Sequence, residues 1–252
     1  MNRALKIFII ILLINYDCFG QVVNVESMRK KTDSAKWSGS VSLNISLIKN
    51  TNNIFRVSNK AHVQYNNKKN LWLFINDLNF QKIEGSSFVN KGIQHFRYNH
   101  TLTSKIKLEA FTQAQYDAIS EIDFRGLIGL GPRYKLSKND NYRFYLGTLV
   151  MYEYEKASDI AEERIQRDFR GSTYLSTSIY PTDKITLIST SYYQPKLKSF
   201  KDFRFSNETS LLLEIFKGLA FKSTFSYNYD AFPVMDIPKA QYEFTNGLLY
   251  EF

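Results

Sequence analysis

The sequence predicts an all-β chain: a transmembrane antiparallel up-and-down β-barrel of about 12 strands. Three observations predict it. Apolar residues take alternate positions from Trp37 to the last residue, Phe252. The alternating segments run to roughly 10–14 residues, enough to cross a tilted bilayer, where strands of ordinary sheets cluster near 5–6. Short links alternate with longer ones, the arrangement of a barrel with tight turns at one membrane face and loops at the other.

The first element is an export signal. "MNRALKIFIIILLINYDCFGQ" carries Arg3 and Lys6 ahead of an unbroken apolar run from Ile7 to Ile14, and Gly20 offers a small residue for cleavage. The run is too short for a spanning helix. Asn15, Tyr16 and Asp17 are poor residues to precede a lipidated cysteine, so Cys18 reads as part of a cleaved peptide over residues 1–20. Without it the chain has no cysteine, which excludes disulfides and thiolate metal sites. Residues 21–36, "QVVNVESMRKKTDSAK", are polar and without a period, an N-terminal segment that is loose or tucked into the lumen.

Residues 37–252 form the expected barrel. Trp37, Val41, Leu43, Ile45 and Leu47 make the first apolar set; Phe55, Val57, Ala61, Val63 and Tyr65 the second; Trp72, Phe74, Leu78 and Phe80 the third. Phe96, Tyr98 and Leu102 follow, then Ile106, Leu108, Ala110, Ala114 and Tyr116, then Ile122, Phe124, Ile128, Leu130 and Tyr134. The seventh set runs from Tyr142 to Tyr154, and five more span 169–179, 185–193, 203–215, 219–229 and 242–252. The links "NNKKN", "LTSK", "KLSKND", "YPTDK" and "FKG" are short turns. Those between them, such as "EKASDIAEERIQRD" and "DAFPVMDIPKA", are mostly longer. An even strand count brings both ends to the short-turn side.

Positions out of phase with the apolar ones are charged. Arg125, Arg133, Arg143, Glu153, Arg170, Arg204, Glu208 and Glu214 are the candidates for the lumen, with Lys107, Glu109, Lys222 and Glu243 in the same phase. A membrane barrel turns its apolar face to lipid and its polar face inward. Such a lumen supports two readings. The arginines pair with the glutamates and fill it, or an arginine stripe on neighbouring strands favours small anions in a narrow pore. The chain ends "QYEFTNGLLYEF", and Phe244, Leu248, Tyr250 and Phe252 look like the C-terminal signal that outer-membrane barrels present to their insertion machinery.

Four stretches carry more than a pattern: residues 111–136 with "FRGLIGLGPRYKL", 142–155 with "YEYE", 192–221 with "YYQP", and the aromatic terminus 227–252. In this order they resemble the bacterial outer-membrane family known as domain of unknown function 481, described in places as salt-induced outer-membrane proteins. The resemblance covers roughly residues 37–252. It implies an outer membrane of the Gram-negative type, with lipid and the insertion machinery as partners, and no established reaction.

Chemistry is sparse. The three histidines, His62, His95 and His100, are not followed by the Ser-Asn-Gly of an outer-membrane phospholipase, and no Ser-His-Asp arrangement can be built. His62 and His95 fall in the inward phase, and His100 lies near a short turn. Asp117, Glu121 and Asp123 read as a solvated acidic loop, and "GLIGLGPR" as glycines that relieve crowding in a barrel wall. The net charge of +9 would admit nucleic acid, but the basic residues sit singly, many in turns, on an exported chain. The expectation is therefore a non-catalytic envelope barrel without a cofactor or metal. The alternatives are a small anion-preferring channel and, third, an enzyme acting on outer-leaflet lipid.

Overall fold

The computed structural model describes residues 36–49, 53–83, 86–118, 120–137, 139, 141–158, 163–216, 219–233 and 238–250. The expected signal peptide, the segment 21–36 up to residue 35, and Phe252 lie outside them. Twelve strands are present: β1 (Trp37–Lys49), β2 (Asn53–Asn67), β3 (Asn70–Ile83), β4 (Ser86–Thr101), β5 (Ile106–Asp117), β6 (Ile122–Lys135), β7 (Tyr142–Ser158), β8 (Glu163–Thr182), β9 (Ile185–Lys196), β10 (Ser199–Phe216), β11 (Leu219–Asp230) and β12 (Ala240–Tyr250). They build one antiparallel sheet in strict chain order, an all-β up-and-down arrangement. Among the described residues no ladder joins β12 to β1, so the sheet is open at that seam.

The sheet curls strongly. Tyr174 on β8 reaches Glu109 on β5, and Arg204 on β10 reaches Glu153 on β7. Each pair is three strands apart, a separation of about 14 Å along a flat sheet. Only a curled wall brings such side chains together, so one face is an interior.

Alternation assigns the faces. On β6, Phe124, Ile128 and Leu130 point outward, with Leu130 55% exposed, while Arg125 and Arg133 point in and are buried. On β7 Val150 is outward and Met151, Glu153 and Glu155 inward. The outer face is rich in rings, which pair across strands: Trp72 with Tyr98 at 4.2 Å, Tyr152 with Phe169 at 5.3 Å, Phe203 with Tyr229 at 5.5 Å. The apolar band is interrupted on β9 and β10, where Asn207 donates to Ser191 Oγ (2.9 Å) and the Ser189 and Thr209 hydroxyls lie 2.8 Å apart. These small polar groups satisfy one another, which lowers the cost of placing them on an apolar face.

Three details depart from the alternation. Ile122 falls in the outward apolar set by sequence, yet it is buried opposite Asp117 and Ala157 on inward positions. Irregularities between Gln115 and Asp117 and between Ile122 and Phe124 shift the phase by one residue. The interior is also less polar than expected: Leu73, Ile75, Leu149 and Met151 are buried on inward positions. Finally β8 and β10, at 20 and 18 residues, exceed the expected strand length: the polar end 163–168 of β8 stays in the ladder with β7, and β10 takes in extra residues at an irregularity between Ser199 and Phe203.

Candidate functional site: a charged interior

Two neighbouring glutamates on β7 organise the half of the interior toward the long loops. Glu153 and Glu155 are two residues apart and so share a face. Arg125 on β6 lies directly opposite Glu155 in the ladder. Its Nε is 2.6 Å from Glu155 Oε2 and 3.2 Å from Glu153 Oε1. From the other side Arg170 on β8 donates through Nε to Glu153 Oε2 at 2.5 Å and through Nη2 to Asp202 at 3.1 Å. Across the interior Arg204 contacts Glu153, donates to Glu155 Oε2 at 2.9 Å, and holds Asp230 on β11 at 2.9 Å. Lys196, held by Asp168 at 2.9 Å and Asp202 at 2.8 Å, finishes the network at its upper edge. Each of these three arginines has more than one acceptor, as burial of a charge demands.

A second network lies nearer the short turns. Glu109 on β5 is fully buried, with 0% exposure. It accepts from the Tyr174 hydroxyl at 2.5 Å and from Arg133 Nη1 at 3.3 Å, and Arg97 lies 3.7 Å away. Arg97 Nε donates to His95 Nε2 at 3.3 Å, and His95 Nδ1 meets Gln113 Oε1 at 2.8 Å. That pairing requires the tautomer with the proton on Nδ1, since Nε2 must accept. Both ring nitrogens are thus engaged, and Phe111 stacks on the ring at 5.4 Å. Glycines make this packing possible. A Cβ on Gly147 would lie 2.1 Å from the Tyr174 ring, and one on Gly129 2.4 Å from Phe111.

Between the networks is a cavity of about 30 Å³ lined by Leu127, Leu149, Tyr174, Tyr192 and Gln113. It is sized for a couple of water molecules.

The sequence-predicted residues divide. Arg125, Glu153, Arg170 and Arg204 meet in one network, and Arg133 joins the other through Glu109. Glu208 and Glu214 lie half-buried on inward positions of β10. Arg143 reaches no carboxylate among the described residues; its guanidinium lies 5.8 Å from the Tyr180 ring. Glu109 holds Arg133, and Glu155 joins Glu153 in holding Arg125. Arg97, Glu155, Tyr174, Asp202 and Asp230 were not singled out. Glu155 could have been, since it repeats Glu153 in phase; Asp202 and Asp230 read as loop residues. Phe244 is outward and 52% exposed, and Leu248 and Tyr250 lie on β12. His62 is on an inward position of β2, and His100 Nδ1 lies 2.8 Å from Asn70 Oδ1. Among the described residues no cluster of His, Cys, Asp and Glu is suited to a metal ion.

The chain belongs to the family described as protein of unknown function, DUF481, which matches residues 38–252. No curated protein matches it. Among solved structures it is similar in outline to the NanC porin in a rhombohedral crystal form, at TM-score 0.48 and 9% identity over 84% of this chain and 100% of that one. A bacterial polysaccharide outer membrane secretin compares at TM-score 0.48 and 10% identity, over 86% and 79% of the two chains. Neither likeness carries an argument about function.

Proposed function

We propose that this chain is an exported outer-membrane β-barrel whose lumen is closed by ion pairs, a non-catalytic barrel of the cell envelope. The observation that carries the reading is the pairing of five buried arginines, Arg97, Arg125, Arg133, Arg170 and Arg204, with Glu109, Glu153, Glu155, Asp202 and Asp230. A wall with rings and aliphatic side chains outside and paired charges inside suits lipid on one face and a filled lumen on the other. Residues 1–20 act as the signal peptide, and Phe244, Leu248, Tyr250 and Phe252 as the insertion signal. The small-anion channel is the second reading, favoured by Arg143.

Refolded protein in planar bilayers, at low and high salt, tests this. A silent bilayer with heat-modifiable migration of a folded barrel is the expected result. Steady conductance steps with anion preference would overturn the closed lumen in favour of the channel. Lipid turnover lost on substitution of His62, His95 or His100 would overturn the non-catalytic reading.

A further inference from the structure

The two ends of the barrel differ in charge. The five short turns, "NNKKN", "LTSK", "KLSKND", "YPTDK" and "FKG", contain seven lysines and two aspartates. The six links at the other end, taken from "KNTNN" to "DAFPVMDIPKA", contain ten basic and eleven acidic residues. The excess positive charge of the barrel is thus gathered at the short-turn end. Lys68, Lys69, Lys105 and Lys184 are exposed there.

Arg143 sits just inside that end. It is on an inward position of β7, opposite Ser178 of β8, and half-buried. The Leu136 amide donates to the Phe144 carbonyl at 2.8 Å, which sets Ser137 beside Arg143. Two polar atoms here, Arg143 Nε and Ser137 Oγ, are buried without a hydrogen-bond partner. Lys135, opposite Tyr145, and Lys107, opposite Arg133, are on inward positions of the same end. Deeper in, Arg133 and the Tyr174 hydroxyl meet Glu109.

We propose that this mouth is a binding site for a small phosphorylated solute, with Arg143 Nε and Ser137 Oγ as donors, Lys135 beside them and the turn lysines as an electrostatic funnel. A donor already held from water, on or beside Arg143, which has no carboxylate partner among the described residues, gains a charge-assisted hydrogen bond when an oxyanion arrives. Long-range attraction by the lysines raises the local anion concentration. The networks above make the site blind: an anion binds there and does not pass. The inference rests on the barrel reading for its topology.

The test uses the refolded chain in micelles, with inorganic phosphate as the probe against chloride at matched ionic strength. The readout is the urea midpoint of the heat-modifiable band. The midpoint is expected to rise with phosphate. Arg143→Gln should weaken the apparent affinity by at least about tenfold, the loss of one charge-assisted hydrogen bond. Ser137→Ala should weaken it less, and the Lys68→Gln/Lys69→Gln pair, which thins the funnel and leaves both donors in place, should weaken it least. An equal response in Arg143→Gln would overturn the site. So would a response to anionic phospholipid vesicles, but not to phosphate, that disappears with Lys68 and Lys69, since the turns would then meet lipid headgroups. A folded barrel indifferent to phosphate would refute the site and leave the barrel reading standing. A chain without a heat-modifiable band would remove the barrel reading, and the site with it.

Discussion

Arg170 and Arg143 face the same interior from adjacent strands, and their surroundings are opposite. Arg170 is buried with Glu153 and Asp202 at 2.5 and 3.1 Å. Arg143 is half-buried over Tyr180 and has no carboxylate partner among the described residues. Residue type and phase are identical, so neither explains the difference. Level along the wall does. Glu153 is beside Arg170 because Met151 faces Arg170 in the β7–β8 ladder, two residues away in the same phase. Opposite Arg143 the ladder offers Ser178. A charge in a barrel interior is structural or available according to which residue the neighbouring strand places at its height.

The sharpest way to break this contrast is to remove the hub of the paired half. Glu153→Ala leaves Arg125, Arg170 and Arg204 each short of an acceptor in a site with little water. The expected loss is about 3–5 kcal/mol, the usual cost of breaking a buried pair by one partner. The urea midpoint of the folded, heat-modifiable band reads it directly. Adding Arg204→Leu to Glu153→Ala should cost less than the two single losses together, because the second change removes a cation the first had stranded. Strict additivity would mean that the network does not act as a unit.

The second network should respond less. Tyr174→Phe removes the hydroxyl that donates to Glu109 and leaves both arginines in place. A loss of about 1–3 kcal/mol is expected for a buried carboxylate that gives up one bond. Gly147→Ala probes the same ring sterically. Its Cβ would lie 2.1 Å from Tyr174, so the ring must move and release Glu109. A cost of about 1–3 kcal/mol is typical of such overpacking. If Gly147→Ala were neutral, the ring would not be fixed by its bond to Glu109.

How far the interior could be read from the sequence follows from the same geometry. Period-two alternation gives strands and faces, and it placed Arg125, Arg133, Arg170 and Arg204 inward without knowledge of any partner. Partners require register. Glu109 pairs with Arg133 because Lys107 lies opposite Arg133, a fact set by the β5–β6 ladder and not visible in either segment alone. Contacts across the curl, such as Tyr174 to Glu109, are less legible still, since they depend on curvature of the whole wall. The misassigned face of Ile122 has a local cause: one irregularity near Asp117 turns the side chains to the other side, and alternation carries no mark of where a bulge falls.

The smallest stability effect belongs to Arg143, and it discriminates best. Among the described residues Arg143→Gln removes no ion pair and loses a contact with the Tyr180 ring at 5.8 Å. The urea midpoint should stay within about 0.5 kcal/mol of the parent, as for a substitution outside the packed networks. Arg133→Gln, two strand positions above Lys135 in the same phase, should be far more costly, because it deprives Glu109 of a partner and uncovers the Tyr145 ring now 4.0 Å beneath it. Ser178→Glu sharpens the contrast from the other direction. It sets a carboxylate opposite Arg143 and so gives this arginine what its neighbour has. Stability should change little, since one half-buried pair contributes about 0–1 kcal/mol, whereas the response to phosphate should disappear. A phosphate response that survives Ser178→Glu would show that the anion is held by the turn lysines and that Arg143 has no role in binding.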